Sequence, residues 1–195
     1  MLAEANRRKH DRGQDVVIGF VVTHGRAGTE KQIGDLEVIP RKTIVYKGST
    51  FEEMDTDAVI ARKPQWVLID ELAHTNVPGD AHAKRYEDVL DILAAGISVL
   101  STMNVQHLES LNDTVCQITG VRVRETVPDW VLCEADEVVS IDITPRSLIH
   151  RLERGDVYPQ EKVTQALGNF FTEGNLSALR EIALRMTAER VDQDL

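Results

Sequence analysis

The 195-residue chain is 42% hydrophobic and 28% charged, with a net charge of −10, the make-up of one globular domain able to bury a substantial core. The acidic balance opposes general nucleic-acid binding and electrostatic anchoring to anionic lipid, and no apolar run approaches the roughly 20 residues that cross a bilayer, so no direct membrane insertion is expected. The polar start MLAEANRRKHDRG carries no hydrophobic signal segment, which predicts a cytoplasmic location with Cys116 and Cys133 as reduced core residues.

In chain order, a short helix holding Leu2, Ala3 and Ala5 precedes Gly13. VVIGFVV (16–22) is continuously apolar, as expected of a strand covered on both faces. TIVYKG (43–48) reads as a second strand, and Thr50 with Glu53 forms a capping box before a helix ending near Lys63, ahead of Pro64. WVLID (66–70) is a third strand. Asp80 is placed to cap a helix with Tyr86, Val89, Leu90 and Leu93 inward and Gly96 as terminator. SVLSTM (98–103) follows, then a helix over Leu108, Leu111, Val115 and Ile118 stopped by Gly120, a turn at Thr126, Pro128 and Asp129, and a fifth strand, EVVSID (137–142). Alternating strands and helices predict an α/β fold with a mainly parallel sheet.

Beyond residue 143 the pattern is helical. Thr144 caps, Pro145 takes the first turn, and Leu148, Ile149 and Leu152 face inward before Gly155. Val163, Ala166, Leu167, Phe170 and Phe171 repeat that spacing, and Asn175 caps a last helix carrying Leu176, Leu179, Ala183 and Met186. The expectation is a single domain, an α/β part over 1–143 with a helical appendage over 144–195.

The chemistry should gather at the carboxyl edge of the sheet. Asp70 and Glu71 end the third strand, an arrangement that in phosphate-handling enzymes holds Mg²⁺ with the first acid and polarises water with the second. The bland alternative is a capping Asp70 beside a solvated Glu71. THGR (23–26), with Thr23, His24 and Arg26, follows the first strand, His74 lies just past the acids, and TMNVQH (102–107), with Asn104 and Gln106, follows the fourth strand. Gln106, His107 and Glu109 sit where a residue could sense a terminal phosphate, or could equally cap and solvate the next helix. His82, Lys84 and Arg85 crowd the start of a helix, where the macrodipole disfavours cations, so an anion such as phosphate or an acidic partner would offset the cost. No GxxxxGK[ST] phosphate loop occurs in these 195 residues.

Taken together, DVVIGFVVTHGR, WVLIDELAHTNVPG, KRYEDV, NVQHLESLND, QITGVRVRETVPD, FF-x-x-GNLSALRE and TAERVDQ, in this order and spacing, closely resemble the N-terminal cytoplasmic domain of the KdpD-type osmosensitive potassium-channel sensor histidine kinases. The resemblance covers essentially the whole chain. It implies a P-loop NTPase-like module that binds ATP and Mg²⁺, with Asp70 and Glu71 as the Walker B acids, Glu71 as the catalytic group, and Thr23, His24 and Arg26 on the nucleotide edge. It also implies a glycine-rich loop and first strand upstream of Met1, so that these residues alone would bind nucleotide weakly, with little or no ATPase activity. An open sheet edge would then favour self-association. The expected partners are the remaining domains of a sensor kinase and its two-component system. The rival expectation is a nucleotide-independent interaction module with a vestigial acidic pair.

Overall fold

The structure, a computed structural model, describes residues 1–156 and 170–193. They fall into two compact units, Met1–Met103 and Asn104–Leu195. The first runs α1 (Leu2–His10), β1 (Val16–Phe20), α2 (Ala27–Ile33), β2 (Glu37–Val38), β3 (Lys42–Tyr46), β4 (Ser49–Glu53), α3 (Thr56–Arg62), β5 (Trp66–Ile69), α4 (Arg85–Ala94) and β6 (Ser98–Ser101). The second holds 3₁₀ turns at Val105–His107 and Glu109–Leu111, then α5 (Asn112–Thr119), α6 (Asp129–Cys133), α7 (Pro145–Glu153) and α8 (Glu173–Gln193).

The first unit is α/β, built on a parallel sheet of order β2-β1-β5-β6. Side chains alternate across a strand, so each face of the sheet collects its own core. Val17, Val67 and Ile69 pack with Val59, Val89 and Ile92, whereas Val16, Ile18 and Leu68 pack with Leu2, Ala5 and Leu36. Burial on both faces is why VVIGF and WVLI are unbroken apolar runs.

Four local expectations are corrected. TIVYKG does not join the parallel sheet: β3 pairs antiparallel with β4 in a separate hairpin. Lys47 and Gly48 both have positive φ, 49° and 81°, the backbone of a two-residue hairpin turn matched to strand twist. The Thr50–Glu53 capping box is therefore a strand, and the Asp55 side chain caps α3 by accepting from the Ala58 amide at 3.0 Å. Helix α4 starts at Arg85, with Lys84 as its cap residue. Asp80 instead forms an ion pair with Lys42. The inward face of α4 carries Arg85, Asp88, Val89 and Ile92, leaving Leu93 40% exposed.

In the second unit, EVVSID is not a strand: residues 137–142 pair with no strand among the described residues, and Val139 and Ile141 are 65% and 86% exposed. β propensity alone does not make a strand without a neighbour to complete its ladder. Thr144 caps α7 as expected, accepting from the Ser147 amide. Helix α8 begins one turn earlier than expected, with the Thr172 hydroxyl accepting from the Asn175 amide. Val163, Ala166 and Leu167 lie outside the described residues. Among those described, no helix is long and apolar enough to cross a membrane.

Gly19, inside β1, is needed for close packing: a Cβ there would sit 2.9 Å from Val67 Cγ2 and 3.4 Å from Val59 Cγ2. Replacing it by alanine overpacks the core and is expected to cost about 1–3 kcal/mol, seen as a lower urea midpoint at unchanged m-value.

Candidate functional site

The parallel strands end along one edge of the first unit, and the residues following β1, β5 and β6 meet there. The Asp70 amide donates to the Phe20 carbonyl at 2.8 Å and the Leu72 amide to the Thr102 carbonyl at 3.0 Å. The ladder thus continues past β5 and fixes both acids. The Thr102 hydroxyl donates a short hydrogen bond to Asp70 Oδ1, which also accepts from the Glu71 amide at 3.1 Å. Asp70 Oδ2 accepts no hydrogen bond from the described residues.

Glu71 has a φ of 55°, in the left-handed region, which turns its side chain away from the strand direction. That side chain is 42% exposed and lies 3.7 Å from His24 Nε2 and 3.8 Å from Arg85 Nη1. Both separations exceed hydrogen-bond length, so the carboxylate is held by charge rather than by directed bonds. His24 has a φ of 52° in a tight turn. Thr23 closes that turn: its carbonyl accepts from the Arg26 amide at 3.0 Å, and its hydroxyl oxygen accepts from the Gly25 amide at 3.3 Å. Arg26 occupies the N-cap position of α2 without a side-chain capping bond.

Beneath this edge Arg85 is fully buried. Its Nη2 donates to Glu53 at 3.1 Å and its Nη1 to the Asp70 carbonyl at 3.2 Å. The guanidinium lies 3.7 Å above the Phe20 ring, a ring also covered by Arg41 at 4.4 Å. Arg85 Nε is buried and finds no acceptor among the described residues. Glu53, 2% exposed, accepts from the Val77 amide at 3.0 Å and lies 3.0 Å from His74 Nε2. Burial works to raise the Glu53 pKa, but the His74 hydrogen bond and charge, the Val77 N–H and Arg85 outweigh it, leaving the carboxyl below its ordinary value. Burial pulls Arg85 down against the opposing charges of Glu53 and Glu71.

The cations at the start of α4 have partners within the chain. His82 lies 3.0 Å from Asp88, Lys84 Nζ donates to Thr75 at 2.8 Å, and Arg85 turns inward to Glu53. Asn104 and Gln106 belong to the second unit, where the Asn104 carbonyl accepts from the His107 amide at 3.0 Å to close the first 3₁₀ turn. Beside the acidic edge, a cleft of about 330 Å³ is lined by Val22, Thr23, His24, Ile33, Val38 and Arg41 among others.

Sequence reasoning placed Thr102 at the edge only as part of a cluster and missed Glu53 and Arg41. Thr102 was legible as the first polar residue after an apolar strand. Glu53 was not, because its role depends on a hairpin that brings it under residue 85.

Among the described residues, no three His, Cys, Asp or Glu side chains converge as a metal cage. A Mg²⁺ that keeps several waters and takes phosphate oxygens needs only one or two protein oxygens, and Asp70, oriented by Thr102 with Oδ2 open, fits that demand.

The family model described as the osmosensitive K⁺ channel His kinase sensor domain matches residues 1–191. The chain belongs to this KdpD family. It is 54% identical over 194 residues to the putative sensor protein KdpD of Synechocystis, covering 100% of this chain and 52% of that protein. It is 50% identical over 195 residues to the sensor protein KdpD of Escherichia coli, covering 100% of this chain and 22% of the relative. The Mycobacterium tuberculosis sensor protein KdpD is 53% identical over 190 residues, 97% of this chain and 22% of the relative. The chain thus spans between about a fifth and about half of these curated relatives.

The acidic edge rests on the Arg85–Glu53 pair, and two outcomes are expected. Arg85→Met leaves the Glu53 carboxylate buried without its cation and destabilises by about 3–5 kcal/mol, read as a fall in the urea midpoint. Glu53 contributes stability that is present above its unfolded-state pKa and lost as pH falls through the depressed folded-state value. Glu53→Gln therefore flattens the acid limb of a stability-versus-pH curve measured by urea unfolding.

Proposed function

We propose that this KdpD sensor domain works as the cytoplasmic regulatory domain of a potassium- and osmolarity-responsive two-component sensor kinase, and that its Asp70–Glu71 edge engages ATP with Mg²⁺. One observation carries the reading: an aspartate oriented by the Thr102 hydroxyl, with one oxygen open, beside an exposed glutamate at the carboxyl edge of a parallel sheet.

On this reading Asp70 holds the metal, which when bound supplies charge neutralisation for the phosphates. Thr102 fixes the Asp70 rotamer. Glu71 orients water and can accept its proton, while Thr23, His24 and Arg26 line the adjoining turn, with His24 available as a donor to phosphate. The G-x-x-x-x-G-K-[ST] cradle is not among the 195 residues, so the affinity of this stretch for nucleotide is expected to be weak and turnover slight. Signalling is by a ligand-biased shift in population toward contacts with the remaining kinase domains.

A second reading, a nucleotide-independent interaction module, draws on the internal partners of Glu71, which already faces His24 and Arg85. Backbone amide shifts during titration with ATP–Mg²⁺ separate the two, because they register weak binding. The proposal expects Mg²⁺-dependent shifts at Thr23, His24, Asp70, Glu71 and Thr102 that Asp70→Asn removes. No shift at this edge at millimolar ATP–Mg²⁺, or identical shifts in Asp70→Asn, would favour the module.

A further inference from the structure

His82, three residues before Arg85, takes no part in the acidic edge, and it sits in an unusual setting. His82 Nδ1 lies 3.0 Å from Asp88 Oδ1, and His82 Nε2 lies 3.4 Å from Asp91 Oδ2. A neutral imidazole has one N–H and would turn a lone pair toward one of these carboxylates; only the protonated ring presents an N–H to both, as a hydrogen bond at Asp88 and an ion pair at Asp91. Asp88 is itself committed. Its side chain is 4% exposed, and it also accepts from the Thr56 hydroxyl at 3.0 Å and the Asn76 side-chain amide at 2.6 Å.

From these contacts we infer that His82 is a proton-operated tie: its imidazolium fastens the loop between β5 and α4 to two α4 carboxylates, and loss of the proton gives up one of those contacts and loosens the loop. The loop is also anchored by Asp80 to Lys42 and by His74 and the Val77 amide to Glu53. Asn76 bridges Asp88 and the His82 carbonyl, and the Asn76 amide donates to the Ala83 carbonyl at 2.9 Å. The ring is 30% exposed, so water can exchange its proton.

The charged groups around the ring favour the cation. From α4 these are Asp88, Asp91 and Glu87, and the Asp88 hydrogen bond is the largest contribution holding the His82 pKa above its ordinary value. From α3 the facing group is the uncharged Thr56, with Asp55 engaged in capping. Within the loop Asp80 is paired with Lys42, Lys84 with Thr75, and Arg85 with Glu53, so no cation competes at the ring. The tie is complete below the free-imidazole pKa and is lost as pH climbs through the raised folded-state value. The same loop runs from Glu71 to Arg85, so its loosening reaches both ends of the acidic edge while the Arg85–Glu53 pair stays in place, whether or not nucleotide binds there.

The test is a pH titration of the whole chain that follows the His82 ring by NMR and the Asn76 and Arg85 amides by hydrogen exchange corrected for intrinsic rates. The ring is expected to titrate above the roughly 6.5 of a free imidazole. The opening constant at those amides should rise roughly tenfold for each unit by which the folded pKa exceeds the unfolded one. His82→Gln should abolish that pH dependence. Asp91→Asn, at a residue 56% exposed and so harmless to the core, should lower the ring midpoint. A ring midpoint at or below the free value, an unchanged midpoint in Asp91→Asn, or the same exchange slope in His82→Gln would each overturn the inference.

Discussion

The arrangement of the sheet edge depends on one buried charge pair, Arg85 with Glu53. A pair of this kind adds little net stability, because desolvation consumes most of the Coulomb attraction. Its effect is geometric. Glu53 ends the hairpin, Arg85 begins α4, the Asp70 carbonyl takes a second guanidinium hydrogen bond, and Phe20 of β1 lies beneath the charge. Four separate stretches of chain are thereby held in register by one planar cation. Lysine could not replace it, since a single ammonium does not supply the two-pronged, ring-stacked contact.

That dependence gives Glu71 its character. Its partners stand at 3.7 and 3.8 Å, close enough to attract and too far to bind tightly. Moving this side chain breaks no hydrogen bond, whereas moving Glu53 or Arg85 breaks several. A rigid foundation under one movable carboxylate suits a domain that reports occupancy to neighbouring parts of a kinase, the role proposed for it. The His82 contacts add a second adjustable point on the same loop.

Much of this was legible in the sequence, and what was not has a common cause. Runs buried on both faces, VVIGF and WVLI, announce a parallel sheet because nothing polar interrupts them. The caps at Thr144 and Gly120 are local chemistry and were readable. The family, too, was legible from ordered motifs. The errors arise where a long-range partner decides the outcome. Ser49–Glu53 satisfies a helix-cap pattern, yet a two-residue turn pairs it with β3. EVVSID has strand composition but meets no ladder among the described residues. The inward side of α4 was misassigned because buried polar contacts, not apolar spacing, orient that helix. Arg85 was read as a phosphate or partner contact for the same reason, since its carboxylate lies 32 positions earlier in the chain.

Two residues facing each other across the sheet edge, His24 and Glu71, adopt backbone conformations that glycine or asparagine would occupy with less effort, with φ values of 52° and 55°. Each departure costs on the order of 1 kcal/mol. Selection for thermal robustness alone would drift both positions toward glycine and strip the edge of its ionisable groups. On the proposed function, keeping an imidazole and a carboxylate there sets durability against sensitivity, and a directed-evolution campaign judged only by heat resistance would blunt this domain before it unfolded it.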